Sequence, residues 1–120
     1  MMLLMRKTLP FINLQNTMSF YERLGFDTRS EENGDDLILV LECQDIHLIL
    51  VPEKELNPFK NPHVRLVDVE NLQLLGEQFV ARYRPEESEC AGWVESVKNG
   101  EVHIVDPNGN LIMLSRKRVA

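Results

Sequence analysis

The sequence predicts an α+β fold built from two tandem βαβββ units. Three observations predict it. Two amphipathic helical stripes are each preceded by a short extended run. Aliphatic and β-branched runs joined by tight turns follow each stripe. The two halves also keep register at a constant offset of 55 residues.

Residues 8–12 read as a strand, with Leu9 and Phe11 on one face and Thr8, Pro10 and Ile12 on the other. Pro10 lacks an N–H, which places this strand at an edge or at a bulge. Asn13 is the expected N-cap of a helix whose apolar stripe is Leu14, Met18, Tyr21 and Leu24. Gly25 ends it in the left-handed conformation, with Phe26 at the position of the Schellman hydrophobic contact. Residues 37–43 and 46–51 form a hairpin. Leu37, Leu39 and Leu41 alternate with Ile38 and Val40, so both faces of the first run are expected to be covered. His47 faces away from Ile46 and Leu48. The Pro-rich stretch 53–60 is a linker. After it, residues 63–67 read as a strand, Asp68 as an N-cap, and Leu72, Leu75, Phe79 and Tyr83 as a second stripe. Asn99-Gly100 is a hairpin turn between residues 93–98 and 101–106. Asp106-Pro107-Asn108-Gly109 turns the chain into a last strand, 111–115.

The offset of 55 aligns Asn13 with Asp68, Leu9 with Val64, Phe11 with Leu66, Leu14 with Val69, Thr8 with His63 and Arg6 with Asn61. The expected organisation is a single domain, 1–120, of two repeated modules, about 6–52 and 61–116.

Composition narrows the function. The chain has 120 residues, 43% apolar and 27% charged, as in ordinary globular domains and unlike disordered, collagenous or coiled-coil chains. Thirteen basic against nineteen acidic residues give a net charge of −6 and a pI near 5.0. Nucleic-acid binding, which needs a basic face, is disfavoured, whereas a cationic or neutral ligand is compatible. Cys43 and Cys90 form neither a disulfide framework nor a metal motif. Met1–Met5 is apolar but short and is followed at once by Arg6 and Lys7, so neither a signal peptide nor a membrane span is expected. A cytoplasmic location follows, and Arg116-Lys117-Arg118 reads as a solvated end.

Two motifs carry a resemblance that covers nearly the whole chain. Residues Asn13 to Phe26, NLQNTMSFYERLGF, are similar to the first-helix signature of the vicinal oxygen chelate superfamily, D-x-x-x-S-x-x-F-Y-x-x-L-G-F. Residues Asp106 to Ile112, DPNGNLI, resemble its C-terminal D-P-D-G-N-x-[IL] turn. The superfamily includes glyoxalase I, extradiol dioxygenases, fosfomycin-resistance enzymes and bleomycin-resistance proteins.

The resemblance implies that the modules form a curled mixed sheet, a cup, with the helices outside. Leu9, Phe11, Val64 and Leu66 would then face the helices, and Arg6, Thr8, Asn61, His63 and Arg65 would line the cup. Metal-dependent members hold a divalent ion at four slots, which here fall on Arg6, Asn61, Met113 and either His47 or Ile49. Arginine cannot ligate a cation and thioether suits hard cations poorly, so no metal and no cofactor is expected. These substitutions weigh against an enzyme. His47 and His63, as a displaced pair, make a thin metal site, since two donors are too few. His103, between Val102 and Ile104, reads as a sheet residue.

Other chemistry is absent from the sequence. There is no phosphate loop and no nucleophile elbow. Cys43 reads as a small buried hydrophobe, and the acid beside Cys90 would raise its pKa. Glu31-Glu32, Asp35-Asp36 and the segment 86–89 read as solvated loops able to draw a cation towards the cup. Trp93 is either a packing residue or a stacking wall for a flat ligand, with Phe59 a second candidate. The expected cup lining is His47, His63, Arg65, Trp93, Met113, Arg6 and Asn61; Arg65 needs a carboxylate, either internal, with Glu42 the candidate, or from an anionic ligand.

The closest resemblance is to the metal-free bleomycin-resistance subgroup, acidic dimers that sequester a cationic drug in a crevice between subunits. It implies a small-molecule-binding protein that sequesters a drug or metabolite and forms a homodimer, with no nucleic acid or membrane partner. The alternatives are a metal-dependent lyase, a glutathione or thiol transferase, or a dioxygenase with a rearranged metal site. A cup packed shut by its own side chains is a further one.

Overall fold

A computed structural model describes residues 8–83, 92–97 and 100–116; of Val97 it describes the backbone. Expectations for Met1–Met5, Arg6, Lys7, the acidic segment 86–89, Cys90, Asn99, Lys117 and Arg118 lie outside the described residues.

The chain runs β1 (Leu9–Phe11), α1 (Leu14–Leu24), β2 (Asp27–Asn33), β3 (Asp36–Cys43), β4 (Ile46–Pro52), β5 (Val64–Val69), α2 (Leu72–Arg82), β6 (Trp93–Val97), β7 (Glu101–Val105) and β8 (Leu111–Arg116). These are two βαβββ modules. The mixed sheet is divided between them, with sheet 1 ordered β1-β4-β3-β2 and sheet 2 ordered β5-β8-β7-β6. In each sheet the first strand runs parallel to the last, and the other pairs are antiparallel. Pro10 lies on the edge strand β1, as its missing N–H requires.

Local chemistry fixes α1. The Asn13 side chain accepts from the Asn16 amide at 2.9 Å. At the other end Gly25 adopts φ 105°, a conformation that a side chain would strain. Its amide donates to the Glu22 carbonyl and that of Phe26 to Tyr21, both at 3.0 Å, the Schellman pair. Thr17, Phe20, Tyr21 and Leu24 form the buried face, with Leu14 and Met18 at its margin.

Three expectations are corrected. Residues Asp27–Asn33 form β2, so Glu31 and Glu32 stand on a strand rather than in a loop, and Asp36 opens β3. The run has no aliphatic residue because it is an edge strand, largely exposed. Second, β5 continues through Asp68 to Val69, and Asn71 rather than Asp68 stands at the N-cap position of α2, without a side-chain capping bond. Asp68 instead accepts from the Ser115 hydroxyl at 3.0 Å. Asn71 follows Asn13 by 58 residues, so Leu9 matches Val67 and Phe11 matches Val69. Third, this shift reverses the facing expected along β5. Val67 and Val69 are buried, while Val64 and Leu66 are 48% and 63% exposed on the other face.

The second stripe forms as expected, with Leu72, Leu75 and Phe79 buried and Tyr83 packed against them. Both modules contribute to one core. Phe26 stacks on Phe79 of the other module with ring centroids 5.5 Å apart, and Tyr21 meets Phe26 edge-on at 5.2 Å.

A buried polar hub also ties the modules together. Tyr21 Oη donates to Asp106 Oδ2 at 2.7 Å, and the Asn108 and Asn110 amides donate to Asp106 Oδ1 at 2.9 and 3.0 Å. Asn110 Nδ2 donates to Asp106 Oδ2 and to the Pro10 carbonyl, both at 2.9 Å. The Ile12 amide donates to Asn108 Oδ1 at 2.9 Å. The D-P-N-G-N turn of the second module thus closes the start of the first.

Candidate functional site

The outer face of sheet 1, away from the helices, is set by strand register. Thr28, Leu39, Leu41, Leu48 and Leu50 occupy the inward alternation, with the leucines in the core. The opposite alternation therefore carries Arg29 and Glu31 of β2, Ile38, Val40 and Glu42 of β3, and His47, Ile49 and Val51 of β4. These residues, apart from Glu42, line a cavity of about 570 Å³ with Thr8, Glu32 and Asn33. That volume lies in the range of small-molecule sites. Ile38, Val40, Ile49 and Val51 give it an apolar floor.

The rim is charged and organised. Arg29 Nε contacts Glu31 Oε1 at 2.8 Å, and Arg29 Nη1 contacts Glu42 Oε1 at 2.7 Å. Glu31 first and Glu42 second raise the guanidinium pKa above its ordinary value. All three side chains are about half exposed. Asp27 lies opposite Glu42, so among the described residues carboxylates outnumber arginine on this face.

The outer face of sheet 2 is more apolar. Register places Leu66, Met113, His103 and Glu95 in one row, and Val64, Leu111, Val105 and Trp93 in the next. Trp93 is 49% exposed here and so is not a core residue. His103 stands in a strand, as expected, with Nε2 3.2 Å from Glu101 Oε1. Phe59 is 91% exposed on the short turn Pro58–Lys60.

The expected cup residues are thus distributed between places. His47 lines the sheet 1 cavity. Trp93 and Met113 lie on the outer face of sheet 2. Asn61 is committed to the D-P-N-G-N turn, its Nδ2 donating to the Asn108 carbonyl at 2.9 Å and to Asn110 Oδ1 at 2.8 Å. Its Oδ1 receives the His63 amide at 2.8 Å and lies 2.6 Å from His63 Nδ1. His63 is therefore held beside that turn, and His47 by the other sheet. Arg65 shares its alternation with Val67 and Val69 and donates from Nη1 to the Leu66 carbonyl at 3.0 Å. Glu42, the internal candidate for its partner, pairs with Arg29.

The metal slots that the resemblance implies, where they fall on described residues, do not fit a metal. The 58-residue register moves the second module's first-strand slot from Asn61 to Val64, and the pairing of first with last strand in each sheet matches Ile49 with Met113. Ile49, Val64 and Met113 supply no hard donor. Among the described residues no cluster of three His, Cys, Asp or Glu side chains is gathered. Cys43 is buried, and burial pushes its thiol pKa up, away from reactivity.

Arg29, Glu31 and the apolar floor escape a reading that leaves β2 as loop. One signal could have found them: Gly34-Asp35, with Gly34 at φ 67°, is a two-residue hairpin loop between β2 and β3.

No family model and no curated protein matches the chain. Solved structures do. A bleomycin-binding protein complexed with bleomycin matches with a TM-score of 0.72 at 24% identity, over 94% of this chain and 98% of that one. A bleomycin resistance determinant encoded on transposon Tn5 matches with a TM-score of 0.70 at 22% identity, over 93% and 95%. A bleomycin-binding protein from Streptomyces verticillus, complexed with copper(II)-bleomycin, matches with a TM-score of 0.64 at 18% identity, over 92% and 93%. The chain has the vicinal oxygen chelate fold.

Proposed function

We propose that this protein binds a small organic cation on the outer face of sheet 1 and acts by sequestration, without metal or chemistry. The observation that carries this reading is the cavity itself, an apolar floor with a carboxylate-rich rim. An apolar floor desolvates a ligand body, while half-exposed carboxylates attract a positive charge without the cost of full burial. The fold shared with bleomycin-binding proteins supports it. Absence of a donor set at the metal slots favours binding over metal-assisted catalysis.

The working unit in this reading is a cytoplasmic homodimer. The outer face of sheet 2 exposes Val64 and Leu66 at one edge and Trp93 at the other, a face that a second copy would cover. Trp93 and Met113 of one protomer would then supply a wall over the His47 side of the other protomer's cavity. No described helix is long and apolar enough to cross a membrane.

The test is titration of the purified protein with bleomycin and with N-methylquinolinium, followed by tryptophan fluorescence and calorimetry. Saturable binding is expected, weakened at least about tenfold in Ile49→Arg, which fills the floor and brings a cation. Equal binding by that variant defeats the assignment of the site. Sedimentation should give twice 13.9 kDa, and a mass of 13.9 kDa at micromolar concentration defeats the dimer.

A further inference from the structure

We propose that Arg29 tunes the cation affinity of the sheet 1 cavity by competing for its carboxylates, an inference that rests on the ligand-binding reading above. Its guanidinium forks between Glu31 and Glu42, at 2.8 and 2.7 Å, from neighbouring positions on the cavity face. Glu31 sits two residues along the same strand, and Glu42 lies diagonally across β3. Both Arg29 nitrogens in these contacts already have carboxylate partners, so the fork does not await an anion. Instead it acts as an internal cation on a site built for one.

The consequence is competition. A ligand cation seated over Val40 and Ile49 competes with the guanidinium for Glu31 and Glu42, each of which Arg29 holds through one oxygen. The exposure of all three side chains makes this feasible, since Arg29 can swing into water at little cost. An anionic ligand gains nothing, because pulling Arg29 away strands two carboxylates beside it. Arg29 thus weakens cation binding while leaving the preference for cations intact. It also keeps the two carboxylates from repelling each other when no ligand is bound.

The experiment measures affinity for N-methylquinolinium and for naphthoate, two flat probes of opposite charge, at low and high salt. The variants are Arg29→Gln and the double change Glu31→Gln with Glu42→Gln. Removing the internal competitor should tighten N-methylquinolinium binding by about three- to tenfold, a gain that shrinks as salt rises. The double variant should bind that probe more weakly than wild type. Naphthoate should bind poorly throughout. Unchanged cation affinity in Arg29→Gln overturns the proposal and leaves Arg29 a cross-strand pair only. Naphthoate binding by wild type that Arg29→Gln abolishes also overturns it, making the residue an anion hook. Failure of both probes on wild type, with Ile49→Arg equally silent, removes the ligand site itself and this proposal with it.

Discussion

Replacing Asp106 by alanine should leave the chain largely unfolded at room temperature. Four donors converge on this carboxylate: Tyr21 Oη, Asn110 Nδ2, and the Asn108 and Asn110 amides. Asp106 is 2% exposed and Asn110 fully buried, so water does not replace the lost acceptor. An orphaned buried donor costs roughly 1–3 kcal/mol, and these four together roughly 4–8 kcal/mol after partial relaxation. Domain stabilities are only about 5–15 kcal/mol. Urea denaturation followed by circular dichroism measures the effect. A loss below about 1 kcal/mol would show that the hub is ornamental.

The same carboxylate gives stability an unusual pH sense. Burial raises the Asp106 pKa above its ordinary value, and bonds from Asn110 and Tyr21 only partly oppose this. No cation pairs with it among the described residues. The folded pKa therefore exceeds the unfolded one. Its contribution is fully present below the unfolded pKa and is lost as pH rises through the folded one. Asp106→Asn removes that titration and retains the size of the group. The stability of wild type minus that of Asp106→Asn should therefore be largest at low pH and fall through the acid range. A difference that grows with pH contradicts this sign.

How much of this was legible depended on what each residue had to satisfy locally. Helix α1 was readable because Asn13 and Gly25 act on neighbouring amides, and the sequence alone contains both partners. The β3–β4 hairpin was readable because Leu39, Leu41, Leu48 and Leu50 repeat with period two. The start of α2 was not. Asp68 is a good cap by type, yet its carboxylate is taken by Ser115, which is 47 residues away. That one misplacement shifted the repeat by three residues. An odd shift reverses every facing in a strand, so the 55-residue offset turns Val64 and Leu66 towards the helices. The cavity was hidden for a related reason. Its floor was visible as Val40 and Ile49, but its rim comes from β2, whose polar sequence gives no periodicity. Arg29 could be paired with Glu42 only once β2 was known to lie beside β3.

Gly109→Ala should destabilise the fold by roughly 2–4 kcal/mol, well beyond the same change at Gly34. Gly109 has φ +84°, and a Cβ there would run into the Pro58 carbonyl oxygen and come within 3.2 Å of Asn61 Cβ. Pro58 begins the turn that Asn57 caps by accepting from the Phe59 amide at 3.0 Å. The linker is therefore seated on the D-P-N-G-N turn with no room for a methyl group. Two costs combine at Gly109: a left-handed backbone, worth about 1 kcal/mol, and displacement of backbone that cannot rotate away as a side chain would. Gly34 separates them. It has φ +67° and nothing within 4 Å of the added Cβ, so Gly34→Ala carries the backbone cost alone. Thermal and urea unfolding of the two variants gives the difference directly. Equal losses would mean that the linker yields freely, and that its contact with the turn does not help hold Asn61 against Asn108 and Asn110.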